Sequence, residues 1–236
     1  MTNKSRSIKK ISCIIPAFNE EKHIGAVLDI MLEAKQILPL EIIVVDDGST
    51  DQTPKILSKY KNIRVVTNKP NKGKSYSVAR GFEASEGDYI LMADSDLFGL
   101  TVDNISELVL PVQQGVADTA MSIRRNFTRR DKIELLTGER MFPRSLIHDH
   151  IDEIKKLPNF ALEVFLNNLV IKHHYTIKAV DWDNVVNTNK TKKRGFYSGW
   201  KANFSAARDI FSYISARELF RQYIAMRRLM IDDSLE

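Results

Sequence analysis

Two aspartates, Asp94 and Asp96, follow an apolar run in the segment YILMADSDLFG, residues 89–99. If that run is a β-strand, side chains two residues apart point to the same side, so both carboxylates leave the strand end together. Two like charges held this close are unfavourable unless a cation lies between them. Carboxylate oxygens suit a divalent metal such as Mg²⁺ or Mn²⁺. The alternative is a solvated acidic turn, and the spacing alone does not choose between the two.

Strand and helix patterns alternate along the first hundred residues. Buried or β-branched runs predict strands at 11–16, 41–45, 62–66 and 88–94, and apolar spacings of three and four residues predict helices at 20–36, 53–60 and 75–86. Thr53 is the expected N-cap of the second helix, with Pro54 at its first position. Such alternation implies right-handed crossovers and a parallel sheet. Ligands of parallel sheets bind outside the carboxyl ends of the strands.

Polar and glycine-containing segments follow each of the four early strands: PAFNEE at 16–21, DDGSTD at 46–51, NKGKS at 71–75 and DSD at 94–96. All four therefore fall at one edge of the predicted sheet. Their residue types suit the binding of a nucleotide. At Pro16, Ala17 and Asn19 the backbone could approach the nucleotide, and Asp46 or Asp47 could accept hydrogen bonds from its base or ribose. Gly48 allows a tight turn, and Lys74 could reach a phosphate. Ordinary turns, a capped loop and a solvated lysine are the alternatives.

The second half of the chain is less regular. A strand is predicted at 118–125, a helix at 159–174, a strand at 176–185, and a helical pattern from Gly195 to Met230. The segment KTKKRGFYSGWKANF, residues 190–204, joins cations to aromatics. Such a composition is typical of an interfacial helix on an anionic membrane. The alternative is a helix packed on the domain.

The composition of the chain favours some classes of protein and excludes others. The chain has 236 residues, 43% of them hydrophobic, a net charge of +5 and one cysteine. These values suit a globular domain with anionic partners and exclude an internal disulfide. A P-loop and the dinucleotide fingerprint are missing, as is any recognised nucleic-acid motif, so no nucleic-acid partner is expected. Without a membrane-length apolar run or a signal-peptide core, the expected location is cytoplasmic, with possible peripheral membrane contact.

The segments IIPAFNEE, IIVVDDGSTD, NKGKSYSVARGF and DYILMADSDL, in this order, resemble the inverting family 2 glycosyltransferases of the GT-A fold. In pattern they are most similar to the polyprenyl-phosphate sugar transferases. The resemblance covers residues 11–100 strongly, and LTGERMF at 136–142 extends it weakly. It implies an α/β domain over 1–190 with a Rossmann-like, mainly parallel sheet. The nucleotide-sugar half is expected at 11–100, the acceptor half at 101–190, and a basic amphipathic helical tail at 191–236.

The resemblance also implies roles for individual residues. A nucleotide-sugar donor is expected against Pro16, Ala17, Asn19, Glu20, Asp46, Asp47, Gly48, Lys74, Asp94 and Ser95. Asp94 and Asp96 form the D-x-D motif for Mg²⁺ or Mn²⁺, and Asp96 counts as catalytic. The metal and the lysine would offset charge on the leaving nucleoside diphosphate. Arg124, Arg125 and Arg140 are expected on acceptor or donor phosphates. Many relatives carry Gln soon after D-x-D, whereas Leu97, Phe98 and Gly99 follow here, so a third protein ligand stays open.

Glu163 is the candidate base for a hydroxyl acceptor, because it is an acid among apolar residues on a predicted helix and burial would raise its pKa. Its rivals are Asp149, Asp181 and Asp183, and the alternative is a solvent-facing glutamate. A phosphate acceptor is already ionised and needs no strong base. The expected function is inverting sugar transfer to a lipid phosphate or a glycan hydroxyl. The alternatives are a retaining transferase of the glucosyl-3-phosphoglycerate synthase type and a non-catalytic module that binds membrane or nucleic acid.

Overall fold

The computed structural model describes residues 9–123, 136–187 and 208–231. Seven strands of this part form one sheet in the order β3-β2-β1-β4-β7-β6-β8, and β5 pairs with β9 in a second, two-stranded sheet. The elements are β1 (Ile11–Ala17), α1 (Ile24–Ala34), β2 (Leu40–Asp46), α2 (Thr53–Leu57), β3 (Arg64–Thr67), α3 (Lys74–Ala84), β4 (Tyr89–Met92), β5 (Leu97–Phe98), α4 (Val102–Gln113), β6 (Thr119–Ile123), β7 (Arg140–Pro143), α5 (Ile151–Ile154), α6 (Leu162–Lys172), β8 (Ile177–Asp181), β9 (Val186–Asn187) and α7 (Ala216–Leu229).

The first four strands of the large sheet are parallel, as the sequence predicts. Strands β1 and β2 are buried almost throughout, which is typical of a sheet covered on both faces. Along β1 the side chains alternate between two cores: Cys13 and Ile15 join α1 and α4, whereas Ile14 joins α3 and α6. The helices therefore hold the strand ends, and the loops that follow them, in a fixed arrangement.

Strand β7 runs antiparallel to both of its neighbours, β4 and β6, so the sheet is mixed rather than purely parallel. The sequence RMFP begins with a cation and ends with a proline, and it carries no apolar run that predicts a strand. In the register of this pair Arg140 lies opposite Met92. The start of β7 therefore lies at the same edge of the sheet as Asp94, which follows β4 closely.

The expected cap of α2 was wrong. Gln52 is the N-cap, Thr53 is the first helical residue and Pro54 the second. The hydroxyl of Thr53 instead accepts a hydrogen bond from the backbone N–H of Glu20, 2.8 Å away. The predicted helix at 20–36 likewise begins only at Ile24, because Glu20 and its neighbours form the turn that meets this loop.

Helix α7 packs against α6 and is part of the domain's apolar core. Met226 is buried in the same core cluster as Leu166 and Ile177. After the helix, the backbone N–H of Ile231 donates to the carbonyl of Ile177 at 3.0 Å, so the chain continues along β8. The described residues include no helix with the length and hydropathy to cross a membrane. The basic-aromatic segment 190–204 lies outside the described residues.

Candidate functional site

The loops after β1 and β2 are tied together at the carboxyl edge of the sheet. Asn19 has a left-handed backbone with φ of +55°, a conformation that asparagine tolerates better than most residues. Its side-chain oxygen accepts from the N–H of Thr50 at 2.8 Å, and its own N–H donates to the hydroxyl of Ser49 at 3.0 Å. Asp46 accepts from the N–H of Ser49 at 3.0 Å. The loops after β1 and β2 therefore form one continuous surface beside the strand ends.

Asp47 holds the loop that leads into α3. Its buried carboxylate accepts from the side-chain amide of Asn68 at 2.9 Å, the N–H of Lys72 at 3.0 Å and the N–H of Gly73 at 2.7 Å. Gly48 next to it has φ of +74°, where a side chain would be strained. Asp47 thus fixes the backbone immediately before Lys74, the first residue of α3.

Lys74 joins two acids that are far apart in the sequence. Its Nζ lies 2.9 Å from Oδ1 of Asp94 and 3.0 Å from Oε1 of Glu163. Burial by itself lowers the pKa of Lys74, but the two carboxylates outweigh burial and raise that pKa, so the ammonium stays protonated. Glu163 is only 4% exposed. The alternative of a solvent-facing glutamate is therefore wrong, and the acid lies inside the site.

A glycine that the sequence did not single out lets a loop cover Asp94. A Cβ placed on Gly138 would lie 2.8 Å from each carboxylate oxygen of Asp94, so a side chain there would force that carboxylate to move. The loop between Leu136 and Glu139 therefore lies directly against Asp94. Beside it, Ser95 is buried and Asp96 is partly exposed.

The donor set at this point fits a hard divalent cation in type, because it offers two carboxylates from one strand end. Within residues 9–123, 136–187 and 208–231, no group of three or more His, Cys, Asp or Glu side chains could hold a metal ion. A cation bound by Asp94 and Asp96 would thus need other oxygens, such as those of a diphosphate or water.

Arg140 is a buried cation close to Glu163. Its Nε donates to the carbonyl of Thr137 at 2.8 Å, and its Nη1 donates to Oδ1 of Asn167 at 2.5 Å. Burial lowers the pKa of Arg140 to about 10, and the nearby Glu163 and Glu139 oppose that shift. The guanidinium therefore remains cationic at neutral pH. Arg124 and Arg125 lie outside the described residues.

Asn159 is a second residue that the sequence analysis missed. Its Oδ1 accepts from the backbone N–H of Lys74 at 3.0 Å, and the hydroxyl of Ser75 donates to the carbonyl of Pro158 at 2.9 Å. A Cβ on Gly73, whose φ is +93°, would lie 1.9 Å from that Oδ1. The segment before α6 is thus held against the start of α3 by these hydrogen bonds. The Pro-Asn pair at the start of the predicted helix 159–174 was the available signal.

The rival bases are placed less favourably than Glu163. The side chain of Asp149 is 91% exposed and contacts His148 at 2.9 Å. It follows Pro143, which pairs with Tyr89 at the edge of the sheet opposite Asp94. Asp181 ends β8, three strands away from β4, which amounts to roughly 14 Å at the usual strand spacing. The exposed Asp183 lies just beyond it.

Comparison with known families gives one match that spans most of the chain. The family model for glycosyl transferase family 2 matches residues 12–175. Human dolichyl-phosphate beta-glucosyltransferase is 40% identical over 101 residues, which cover 37% of this chain and 31% of that protein. The undecaprenyl-phosphate 4-deoxy-4-formamido-L-arabinose transferase of Yersinia enterocolitica is 32% identical over 147 residues, 59% of this chain and 43% of that protein. The chain thus spans less than half the length of these curated relatives.

Solved structures resemble this one in fold. Glucosyl-3-phosphoglycerate synthase from Mycobacterium tuberculosis, in complex with Mn²⁺, uridine diphosphate and phosphoglyceric acid, superposes with a TM-score of 0.64 at 22% identity, covering 86% of this chain and 78% of that one. S. aureus TarS 1–349 superposes with a TM-score of 0.62 at 21% identity, covering 92% of this chain and 70% of that one. These similarities agree with the mainly parallel, helix-flanked GT-A sheet that the sequence predicts.

Proposed function

Because the chain belongs to glycosyl transferase family 2, we propose that it moves a sugar from a nucleotide-sugar donor to a lipid-phosphate or glycan hydroxyl acceptor, with inversion. The observation that carries this proposal is the bridge of Lys74 between Asp94 and Glu163. It joins a cation, an acid of the D-x-D motif and a buried carboxylate at one point. Inverting transfer needs charge stabilisation on the leaving-group side of the sugar and a proton acceptor on the other side.

The donor side is formed by the tied loops after β1 and β2 and by the start of α3. The residues that would hold the nucleotide sugar are Pro16, Ala17, Asn19, Glu20, Asp46, Asp47, Gly48, Lys74, Asp94 and Ser95. A diphosphate offers Lys74 a stronger anion than Asp94 does, so we expect the ammonium to turn toward the leaving group when a donor binds. That movement would also release Glu163 from its ion pair.

Asp94 and Asp96 would hold Mg²⁺ or Mn²⁺, with Asp96 as the second acid of the motif. When bound, such an ion supplies positive charge next to the diphosphate and so favours its departure. Structures of the mycobacterial synthase contain uridine diphosphate together with Mn²⁺ or with Mg²⁺. This supports a divalent cofactor for the present chain.

The acceptor side is formed by Glu163 and Arg140. For a hydroxyl acceptor, Glu163 would take the proton as the new bond forms. For a phosphate acceptor, the nucleophile is already anionic, and Arg140 would bind its oxygens. The names of the curated relatives specify dolichyl phosphate and undecaprenyl phosphate. A polyprenyl phosphate is therefore the first acceptor to test.

Peripheral contact with an anionic membrane is part of this proposal. Phe211 and Phe220 are 56% and 64% exposed at the C-terminal end of the chain. Arg217, Arg221 and Arg228 are exposed on the same helix as Phe220. Aromatic side chains beside cations are suited to the headgroup region of an anionic bilayer. Such a contact would bring the site close to a lipid-linked acceptor.

The experiment that tests the function is a panel of UDP- and GDP-sugars with Mg²⁺ or Mn²⁺ and undecaprenyl phosphate in detergent. We expect turnover that requires the metal in the wild-type protein and is lost in a folded Asp96→Asn variant. NMR of the product should show the anomeric configuration opposite to that of the donor.

Other outcomes would contradict parts of the proposal. Retained configuration would identify a retaining transferase. Full activity of Asp96→Asn would remove the metal assignment. Absence of both transfer and donor hydrolysis across the panel, with salt-sensitive binding to vesicles or to DNA or RNA, would favour a non-catalytic module.

A further inference from the structure

A chain of buried amides connects α7 to Arg140. Asn167 of α6 and Gln222 of α7 are both buried. The Nδ2 of Asn167 donates to Oε1 of Gln222 at 3.0 Å, while its Oδ1 accepts from Nη1 of Arg140 at 2.5 Å. The donor and the acceptor of this amide face different partners. The orientation of Asn167 therefore depends on Gln222.

Gln222 is fixed in turn by its own amide nitrogen. Its Nε2 donates to the carbonyl of Val164 at 3.0 Å and to Oδ1 of Asn168 at 2.7 Å. These bonds leave Oε1 facing Asn167. Buried networks of this kind hold a single geometry, because any rotation would leave a polar atom without a partner in a low-dielectric interior. Val164 directly follows Glu163, so the same amide also holds the helical turn that carries the candidate base.

The hydrogen bonds that Arg140 donates to Thr137 and Asn167 fix the direction of its guanidinium, while the nearby Glu163 and Glu139 favour its charged form. How the guanidinium faces an anion therefore depends on these hydrogen-bond partners. The helix that supplies Gln222 is itself anchored, since Met226 of α7 is buried in the same apolar cluster as Leu166 and Ile177. The position of α7 thus reaches Arg140 through the side chain of Asn167.

We propose that Gln222, acting through Asn167, is a positioning residue for Arg140, and that α7 thereby completes the acceptor side of the catalytic site. This inference rests on the proposed role of Arg140 toward an acceptor phosphate. A helix that the sequence presents as a basic tail is, on this proposal, required for acceptor binding. Asn167 and Gln222 do not touch the acceptor themselves.

The test is the variant Gln222→Met, which keeps the volume and removes both amide functions. With undecaprenyl phosphate as acceptor, we expect its KM to rise roughly tenfold, the order expected when a hydrogen bond to a charged group loses its orientation. The KM for the nucleotide sugar should change little. Gln222→Glu keeps an oxygen for Asn167 but places a second acceptor against the oxygens of Val164 and Asn168, so we expect it not to restore the loss.

Leu219→Ala is the matched control, because Leu219 lies one turn earlier on α7 and packs against Val164 and Ile210 without joining the amides. It should lower Tm and leave the acceptor KM unchanged. If Gln222→Met behaves like Leu219→Ala, while Arg140→Met raises the acceptor KM, the positioning role is wrong although the proposed function stands.

A second measurement does not depend on turnover. Hydrogen exchange of the Arg140 guanidinium, followed by ¹⁵N NMR and assigned with Arg140→Lys, should be faster in Gln222→Met than in the wild type or in Leu219→Ala. Unchanged exchange would overturn the inference. Faster exchange without any effect of Arg140→Met on transfer would keep the positioning role and contradict the proposed role of Arg140.

Discussion

Lys74 is the residue on which the site depends. A buried carboxylate such as Glu163 is costly unless a partner compensates its charge, and the ammonium at 3.0 Å does so. The same ammonium lies 2.9 Å from Asp94, so one cation compensates two acids. We expect a bound diphosphate to compete for this cation, which links donor binding to the availability of Glu163.

Glu163→Gln separates the two acceptor classes. For a hydroxyl acceptor, we expect single-turnover transfer to fall by about 10²–10⁴-fold, the usual contribution of a positioned base. For a polyprenyl phosphate, the nucleophile is already anionic and the loss should be much smaller. Donor affinity, measured by calorimetry, should not fall with either acceptor, because the substituted side chain would no longer compete with the diphosphate for the ammonium of Lys74.

Asp149→Asn is the control for this experiment, since Asp149 lies at the opposite edge of the sheet and should leave transfer unaffected. Near-wild-type transfer to a hydroxyl by Glu163→Gln would remove Glu163 as the base. The next candidates for the base would then be Asp181, the last residue of β8, and Asp183, two residues later.

Single candidate residues could be chosen from the sequence because each carries a local signal, and their roles stay predictions. Asp94 and Asp96 follow a strand, Lys74 follows a glycine, and Glu163 interrupts an apolar helix. Their convergence could not be predicted, because Lys74 and Glu163 are 89 positions apart and meet only where the fold brings the start of α3 to the start of α6. The fit of Gly138 against Asp94 depends on the same tertiary arrangement.

At the scale of elements, the start of α3 is set by groups outside the helix. Asp47 binds two backbone N–H groups just before it, and Asn159 accepts from the first N–H within it. These hydrogen bonds fix the backbone of Lys74 in a position from which its side chain reaches both acids. Asp47 therefore has a demonstrable structural task, whereas its contact with a nucleotide stays a prediction.

Asp47→Asn should weaken this element. The new NH₂ group would face an N–H of the loop instead of accepting from it, so one buried donor would lose its partner at a cost of about 1–3 kcal/mol. We expect that loss in urea denaturation, together with weaker donor binding because Lys74 is displaced.

Asp51→Asn is the matched control, since Asp51 also accepts two backbone N–H bonds but is less buried and does not contact the loop before α3. It should affect donor binding less. Equal effects of the two variants on donor binding would contradict a specific role of Asp47 in placing Lys74.

The elements that the sequence predicts best are the long apolar ones. Strands β1 and β2 and helix α1 were confirmed within a few residues, because buried runs and helical spacing dominate there. Strand β7 could not be recognised, since four residues with a cation and a proline carry no periodic signal. The link from Gln222 to Asn167 was equally hidden, because polar residues at buried helix positions look like surface positions in the sequence.

The whole molecule carries a net charge of +5, and part of that excess lies on α7. One side of this helix packs on α6 through Gln222 and Met226, while the other carries Phe220 and exposed arginines. Packing on the domain and contact with a membrane are thus compatible uses of one helix. Truncating the chain before α7 would remove both, so point substitutions on the outer side give the sharper experiment.

The double variant Phe220→Ser with Arg217→Gln should weaken sedimentation with vesicles of phosphatidylcholine and phosphatidylserine, because each basic residue near an anionic surface contributes about 1 kcal/mol and the phenyl ring adds apolar contact. Binding to vesicles of phosphatidylcholine alone should be weak for every form. Ile37→Ser is the control, since Ile37 is also 64% exposed but lies after α1. Both variants should keep the wild-type Tm, as neither side chain is buried. Undiminished binding of the double variant to anionic vesicles would show that the outer side of α7 is not the membrane contact, and would direct the search to the basic-aromatic segment at 190–204.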